Sequence, residues 1–536
     1  MLNKKNFYNL LINNQTFHIL TLYIIFFCLI LFLNGQLSVS EQNIKHFSTY
    51  FRDDIVFVYN SLLYSEGLEV HHLDHPSLFT YFIFPIFYKF FNFLGFISFD
   101  DLKGFLKSEN IDISLSKLFF ISRFAIQIIS LGTIFLFYKI SEKYSKDKLI
   151  SFLITILFIF SIGFTSASNR IESGLISMFL ALISFYFLIK FYETLNKKGL
   201  KYFCLVFLFI FSSMMQKKII FFLIPFLFLS SIFLIKKNSI EYFKYKFLNI
   251  NSLYKFLLFL IYLAVFSFIS LKTIINNTFF LPRDLDFIFL TISYFGLNLI
   301  LFYFIKFFQN KNYSNLLTYN IVIGSTYFVY KYLLIYLLSA PVAVWSISFT
   351  NFMGQLNMFI SSEEEIKGLH EFSNLPIYIG KLVSNFNLVI NKYIISYSYQ
   401  SILLWANLLL FFLNYKKSNL IKLISILFLL FGFLLIQSIL LFRYEQDTYY
   451  LNSEILLLLA LSLNFSFEYK KIQSAIILIF IFIFTLSPVS EKLIFLKNQN
   501  SKSYCNNLDY RFYEYYTNKI PNDVIGKLCI SYNDLK

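Results

Sequence analysis

A short segment near the N-terminus concentrates acids and imidazoles in a chain whose other charges are mostly lysines between apolar runs. It reads FRDDIVFVYNSLLYSEGLEVHHLDHPSLF and covers residues 51–79. Asp53 and Asp54 are adjacent, and such a pair suits a general base with a neighbour that orients it or holds a cation. The same pair could instead complement the dipole of a helix that starts here. Asp100 and Asp101 form a rival pair, and spacing alone does not separate the two.

The second group in this segment is the histidine cluster HHLDH, in which His71, His72, Asp74 and His75 offer nitrogen and oxygen ligands. A divalent ion is conceivable there, although such clusters are more often solvated polar groups of a loop. We therefore assign no metal site and expect no obligatory cofactor, with a divalent cation left as an option. The sequence shows no P-loop, GxSxG, HExxH or dinucleotide-binding motif.

A third group consists of charged residues inside or beside apolar runs. Its members are Arg123, Arg170, Glu172, Lys217, Lys218 and Arg443. Some such charges only extend to the membrane interface. Charges within membrane segments are costly, however, and usually face a cavity or a partner. Several cations that converge at one membrane face would suit a lipid-linked phosphate or pyrophosphate.

Composition indicates the elements that position these residues. Only 14% of the 536 residues are charged and 57% are hydrophobic, whereas a soluble domain carries about 25% charged residues. Apolar runs long enough to cross a bilayer recur along the chain. We expect an all-α polytopic membrane protein with about thirteen transmembrane helices. The predicted spans are residues 17–36, 117–138, 149–166, 174–191, 202–216, 219–235, 255–272, 287–305, 316–340, 394–414, 421–441, 451–467 and 473–489.

The distribution of lysine indicates the topology. The net charge of +16 fits the positive-inside rule better than nucleic-acid binding, because the lysines fall mostly in short links between apolar runs. With a cytoplasmic N-terminus, the transmembrane domain 1–489 has a first periplasmic loop at 37–116 and a second at 341–393. The apolar run 77–97 is expected to lie at the membrane surface, because a span there would place the lysine-rich links outside. The tail 490–536 is then periplasmic.

The four cysteines favour no structural zinc site, because none of them occurs in a CxxC spacing. Cys28 and Cys204 lie in apolar runs and are expected to be core thiols. Cys505 and Cys529 lie in the polar tail, where they could pair if the tail faces an oxidising compartment.

The order of these motifs resembles the polyprenyl-phosphate-dependent glycosyltransferases of the C-type (GT-C) membrane fold. The most similar group is that of the protein-O-mannosyltransferases and aminoarabinose transferases, which have an acidic pair in the first outer loop. Asp53 and Asp54 fall on that pair. His75 and Pro76 fall on the following His-Pro-Pro-Leu motif, in which Ser77 replaces the second proline.

The resemblance continues through the next apolar runs and covers residues 17–235. LFFISRFAIQIISLGTIFLFYKI is similar to the second spanning helix of the family, which begins with an arginine, here Arg123. ASNRIESGLISMFLALISFYFL resembles the third outer turn, with Arg170 and Glu172 before a helix. SSMMQKKIIFFLIPFLFL resembles a Leu-x-Lys segment, although the glycine is missing. FRYEQDTYYLNSEILLLLA is only loosely similar to a late Arg-Tyr-Leu-Pro helix.

The resemblance implies transfer of a sugar from a polyprenyl-phosphate donor to a lipid, glycan or protein acceptor, with inversion. It implies Asp53 as the base that takes the acceptor proton, with Asp54 in support. The enzyme would lie in the inner (plasma) membrane with its active site outside. The cations expected to stabilise the departing phosphate are His75, Arg170, Lys217, Lys218 and Arg443. The supporting positions are Arg123, Glu172, His72 and Asp74.

Two other classes of polytopic protein remain open. A lipid-linked sugar flippase or another transporter often shows internal repeats and helices broken at Gly or Pro, and the sequence shows neither. An O-antigen-type polymerase or ligase has its large outer loop late in the chain. Here the loop that is rich in reactive side chains follows the first helix directly, which favours the glycosyltransferase.

Overall fold

The computed structural model describes two parts of the chain, which lie within residues 14–234 and 375–499. The described residues are 14–34, 52–66, 78–108, 111–171, 173–193, 199–217, 220–231, 234, 375–415, 420–441, 447–466 and 471–499. None of them lies in a β-strand.

Nearly all of these residues lie in α-helices. The helices are α1 (Gln15–Asn34), α2 (Arg52–Ser65), α3 (Leu78–Phe93), α4 (Leu102–Leu106), α5 (Ile111–Ser145), α6 (Lys148–Ile159), α7 (Ile162–Ser168), α8 (Ser173–Glu193), α9 (Gly199–Gln216), α10 (Ile220–Ser230), α11 (Leu375–Ile395), α12 (Tyr399–Asn414), α13 (Leu420–Ile439), α14 (Leu451–Asn464) and α15 (Lys471–Gln499). A 3₁₀ turn, Asp447–Tyr450, precedes α14.

Long apolar helices make this chain an α-helical, multi-pass membrane protein, which confirms the predicted class. Within the described residues, 5 helices are long and apolar enough to cross a membrane: α1, most of α5, α8, α13 and most of α15. Two bent pairs, α6–α7 and α11–α12, raise that number to 7 if each pair is one span. The predicted spans 255–272, 287–305 and 316–340 lie outside the described residues.

The sequence predicted one uninterrupted span at residues 149–166, and this prediction was wrong. Helix α6 ends at Ile159, and α7 leaves it at an angle of 64°. Ser161 stands at the break, where its hydroxyl accepts a hydrogen bond from the backbone N–H of Phe164 at 3.3 Å. The break therefore has a local N-cap, because Ser is among the residues preferred at that position.

Two predicted boundaries also differ from the structure. The predicted second loop, 341–393, contains most of α11, which begins at Leu375 and meets α12 at an angle of 86°. Helix α15 continues to Gln499, so the predicted tail at 490–536 begins with more than two turns of helix. The apolar run 77–97 forms α3, with only 16 residues, and its buried face carries Tyr81, Phe84 and Tyr88.

The core is built around α14, in which all 14 residues are buried. Its sequence, LNSEILLLLALSLN, is apolar on nearly every face, which is typical of a helix surrounded by other helices. Helices α5, α6, α12 and α13 pack against it. The hydroxyls of Ser141 and Ser462 are 2.9 Å apart, and Asn464 Nδ2 donates to Asn407 Oδ1 at 3.0 Å. Such polar contacts help to hold helices together in a membrane, because burial of an apolar helix surface against protein is no more favourable there than its contact with lipid tails.

One end of the helix bundle is rich in lysine. The hydroxyls of Tyr144 and Ser230 are 2.8 Å apart, which joins the ends of α5 and α10. Lys143 pairs with Glu193 at 2.5 Å, which adds the end of α8. The lysine-rich segment 139–148 lies at this end, and the helices run from it to an opposite end that contains the break between α6 and α7.

Candidate functional site

The acidic pair begins a helix at the end of the bundle opposite the segment 139–148. Helix α2 starts at Arg52, so Asp53 and Asp54 lie in its first turn. About one turn later, the buried ring of Phe57 lies 6.1 Å from the ring of Tyr81, centroid to centroid. The first turn of α2 is therefore close to the start of α3. That position also suits acids that stabilise a helix N-terminus, so both interpretations of the pair remain.

The start of α3 is held by the last residue of α9, Gln216. Its side-chain oxygen accepts hydrogen bonds from the backbone N–H groups of Phe79 at 2.8 Å and Thr80 at 3.4 Å. Its Nε2 donates to the Thr80 hydroxyl. These bonds satisfy N–H groups that have no partner within the first turn of a helix. They also fix Lys217, the next residue, beside the start of α3.

Lys217 connects this region to the late part of the chain. Its Nζ atom lies 4.2 Å from the centroid of the Tyr449 ring, within the range of a cation–π interaction. Tyr449 belongs to the 3₁₀ turn, and that turn packs on α7. A Cβ atom added to Gly163 would lie 2.6 Å from Leu451 Cα, so α7 and the start of α14 are in backbone contact.

Arg170 follows α7 directly and is only 2% exposed. Its neighbour Asn169 is the C-cap of α7, and α8 begins three residues after Arg170. A guanidinium removed from water requires polar or anionic surroundings. We use the name polar corner for the group of residues that these contacts bring to the same end of the bundle. Its members are Ser166, Asn169, Arg170, Gln216, Lys217, Thr448 and Tyr449.

The structure adds a buried acid that the sequence analysis missed. Glu454 lies in the first turn of α14 and is 0% exposed. Its Oε2 accepts a hydrogen bond from the backbone N–H of Gly163 at 2.8 Å, and its Oε1 accepts one from Gln400 Nε2 at 2.6 Å. It therefore joins the break between α6 and α7 to α12. The sequence does contain a signal that points to Glu454, because an acid inside an apolar run is by default a candidate functional residue.

One member of the rival acidic pair, Asp101, has a structural role. Asp101 caps α4, because its Oδ1 accepts a hydrogen bond from the backbone N–H of Gly104 at 2.7 Å. This short helix also contacts the end of α2. The backbone N–H of Lys103 in α4 donates a hydrogen bond to the side chain of Glu66, the residue that follows α2. The choice of Asp53 and Asp54 as the reactive pair stays a prediction.

Arg123 lies in α5, but not at its start. The helix begins at Ile111, so Arg123 is more than two turns inside it. Its neighbour Ser122 shares a hydrogen bond of 2.8 Å with the hydroxyl of Tyr88, which joins α5 to α3. Arg123 is half-buried beside that interface.

The other predicted residues stay predictions. Outside the described residues lie His71, His72, Asp74, His75, Glu172, Lys218, Arg443, Cys505 and Cys529. Among the residues that are described, no three His, Cys, Asp or Glu side chains form a group that could hold a metal ion. Cys28 was expected in the core, but it is exposed on α1.

No protein-family model matches the chain. Neither a curated protein nor a solved structure shows a significant match. The function is therefore argued from the site.

Proposed function

We propose that the protein is a membrane glycosyltransferase, which moves a sugar from a polyprenyl-phosphate donor to an acceptor at the outer membrane face. One observation supports this most: the acid-bearing turn of α2 and the cation Lys217 lie at the same end of the bundle. Two contacts link them, from Phe57 to Tyr81 and from Phe79 to Gln216. A base and a cation brought together from distant parts of the chain suit a displacement at a phosphate-bearing carbon.

In this proposal, Asp53 takes the proton of an acceptor hydroxyl while that oxygen attacks the anomeric carbon of the donor. The bond from that carbon to the phosphate oxygen breaks, and polyprenyl phosphate leaves with additional negative charge. Arg170 and Lys217 stabilise that charge from fixed positions in a region of low dielectric, where such interactions are strongest. A single displacement inverts the anomeric configuration. His75 and Arg443 are further candidates for the same role, and Asp54 supports Asp53.

The orientation also follows from charge. Lysine-rich links are retained on the cytoplasmic side, which puts segment 139–148 inside and the polar corner outside. The donor lipid then lies in the outer leaflet with its phosphate at the polar corner. The acceptor, a hydroxyl of a lipid, glycan or protein, approaches from the aqueous side.

Asp53→Asn is expected to reduce sugar transfer by about 100-fold or more, because a general base contributes that much to such reactions. The measurement is transfer of radiolabelled sugar from polyprenyl phosphate to cell-envelope acceptors, in membranes that contain matched amounts of each variant. Asp101→Asn is the control, since Asn caps a helix as well as Asp does. It should transfer like the wild type.

Each outcome decides a different point. Loss with Asp54→Asn alone would move the base to Asp54. Wild-type transfer by both variants would show that the acidic pair only caps α2. No transfer by the wild type from any polyprenyl-phosphate sugar would reject the enzyme itself.

A second candidate function is that of a lipid-linked sugar flippase or another transporter. The sequence suggested no broken helices, yet the structure has bends of 64° between α6 and α7 and of 86° between α11 and α12. Discontinuous helices often line the substrate site of transporters. Proteoliposomes that move a labelled lipid-linked sugar across the bilayer, equally with wild type and Asp53→Asn, would favour this function. Activity only with a lipid pyrophosphate oligosaccharide would favour a polymerase or ligase.

A further inference from the structure

Three buried atoms on neutral side chains of the polar corner have no hydrogen-bond partner within the described part of the chain. They are Ser166 Oγ, Asn169 Oδ1 and Thr448 Oγ1. Their residues are 0%, 5% and 2% exposed, respectively. Buried polar side chains are bonded in the large majority of cases, so each exception calls for an explanation. Three exceptions in one region indicate a common cause.

The fold places these residues in one region. Ser166 and Asn169 are three residues apart at the end of α7, a spacing that puts them on the same face of a helix. Thr448 lies in the 3₁₀ turn, which packs on α7. The backbone approach at Gly163 holds α7 and the end of this turn together. The three residues therefore lie at the junction between α7 and the 3₁₀ turn, immediately before Arg170.

The chemistry of the three groups selects a class of ligand. A hydroxyl both donates and accepts hydrogen bonds, and an amide offers one oxygen and one NH₂ group. All three groups are neutral, so they suit an uncharged part of the ligand. The phosphate is attracted by the charged residues Arg170 and Lys217. Sugar hydroxyls, which also donate and accept, match this set.

We propose that Ser166, Asn169 and Thr448 form a subsite for the hydroxyl groups of the donor sugar, beside the phosphate at Arg170. The inference rests on the proposed function and extends it, because it assigns the recognition of the sugar to the junction of α7 and the 3₁₀ turn. The three groups then form their hydrogen bonds only when the donor sugar is bound.

The first test uses stability without ligand. Ser166→Ala and Thr448→Val remove a hydroxyl that bonds to no described residue, so the apparent melting temperature should not fall. The matched control is Ser462→Ala, whose hydroxyl is bonded to Ser141 at 2.9 Å and whose loss should lower the melting temperature. A fall with Ser166→Ala as large as that with Ser462→Ala would assign the Ser166 hydroxyl to the resting fold and overturn the subsite.

The second test uses binding in lipid nanodiscs. The probes are undecaprenyl phosphate and the same lipid carrying glucose, mannose or arabinose. The wild type should bind at least one sugar-bearing lipid more tightly than undecaprenyl phosphate. The Ser166→Ala/Thr448→Val double variant should lose about tenfold in affinity for that lipid, as expected for two hydrogen bonds, and keep its affinity for undecaprenyl phosphate.

The outcomes separate the two proposals. If the double variant keeps the preference for the sugar-bearing lipid, the subsite is wrong and the glycosyltransferase stands. Equal wild-type affinity for lipids with and without sugar also rejects the subsite alone. If the wild type binds none of the lipids, the proposed function fails, and the subsite fails with it.

Discussion

Replacement of Gly163 by alanine is expected to lower the free energy of unfolding by about 3 kcal/mol or more, as for strong overpacking of a core. The added Cβ would lie 2.6 Å from both Leu451 Cα and the carbonyl carbon of Tyr450, and it would also meet Leu451 N. These are backbone atoms at the start of a fully buried helix, so the clash cannot be relieved by the rotation of a side chain. The separation of α7 from α14 that relieves the clash would also break the bond between Gly163 and Glu454.

Gly380→Ala is the control for this prediction. Gly380 also lies inside a helix, α11, and a Cβ atom there would meet nothing within 4 Å. Alanine is favoured over glycine in a helix interior by about 1 kcal/mol, so this variant should be as stable as the wild type or slightly more so. Thermal unfolding of both variants in the same detergent gives the comparison. Equal melting temperatures for the two variants would show that α7 does not contact α14 as closely as the structure has it.

The sequence predicts the long helices well, because their signal is local. Helices α8 and α13 lie within two residues of the predicted spans 174–191 and 421–441, since an uninterrupted apolar run is enough to define them. The break between α6 and α7 could not be predicted in this way, because residues 149–166 are apolar on both sides of it. It depends on Ser161 and on a distant partner in α14, which no local window contains.

The residues of the candidate site also differ in whether the sequence alone could identify them. Arg170 and Lys217 could be selected from the sequence, because a cation in an apolar run is conspicuous. Gln216 could not, since its role depends on the N–H groups of α3, which lie 136 and 137 residues away in the chain. The role of Asp101 also required structure, because only the hydrogen bond from Gly104 identifies it as a cap.

Glu454→Leu is expected to lower the free energy of unfolding by about 3 kcal/mol, because two buried donors lose their acceptor at about 1–3 kcal/mol each. The donors are the backbone N–H of Gly163 and the side-chain amide of Gln400. Glu454→Gln should cost less than about 1 kcal/mol. Its oxygen can accept from Gly163 while its NH₂ group donates to Gln400, once the Gln400 amide turns over. Thermal unfolding of both variants in one detergent gives the comparison.

A double variant tests whether the partners act together. Gln400→Leu removes one of the two donors, so Glu454→Leu/Gln400→Leu should be less destabilised than the sum of the single variants. Additive effects would show that the bond between the two side chains contributes nothing. If Glu454→Gln is as unstable as Glu454→Leu, the negative charge itself is required, and a cation in the surroundings must balance it.

The same variants connect the fold to the site. The bond from Gly163 to Glu454 fixes the start of α7, while the end of α7 carries Ser166 and leads directly to Arg170. Glu454 is thus a positioning residue, and Glu454→Gln should keep sugar transfer close to that of the wild type at matched expression. A folded Glu454→Gln variant that transfers no sugar would instead place the carboxylate among the groups that act on the substrate. That result would move the reactive centre from the first turn of α2 to the start of α14.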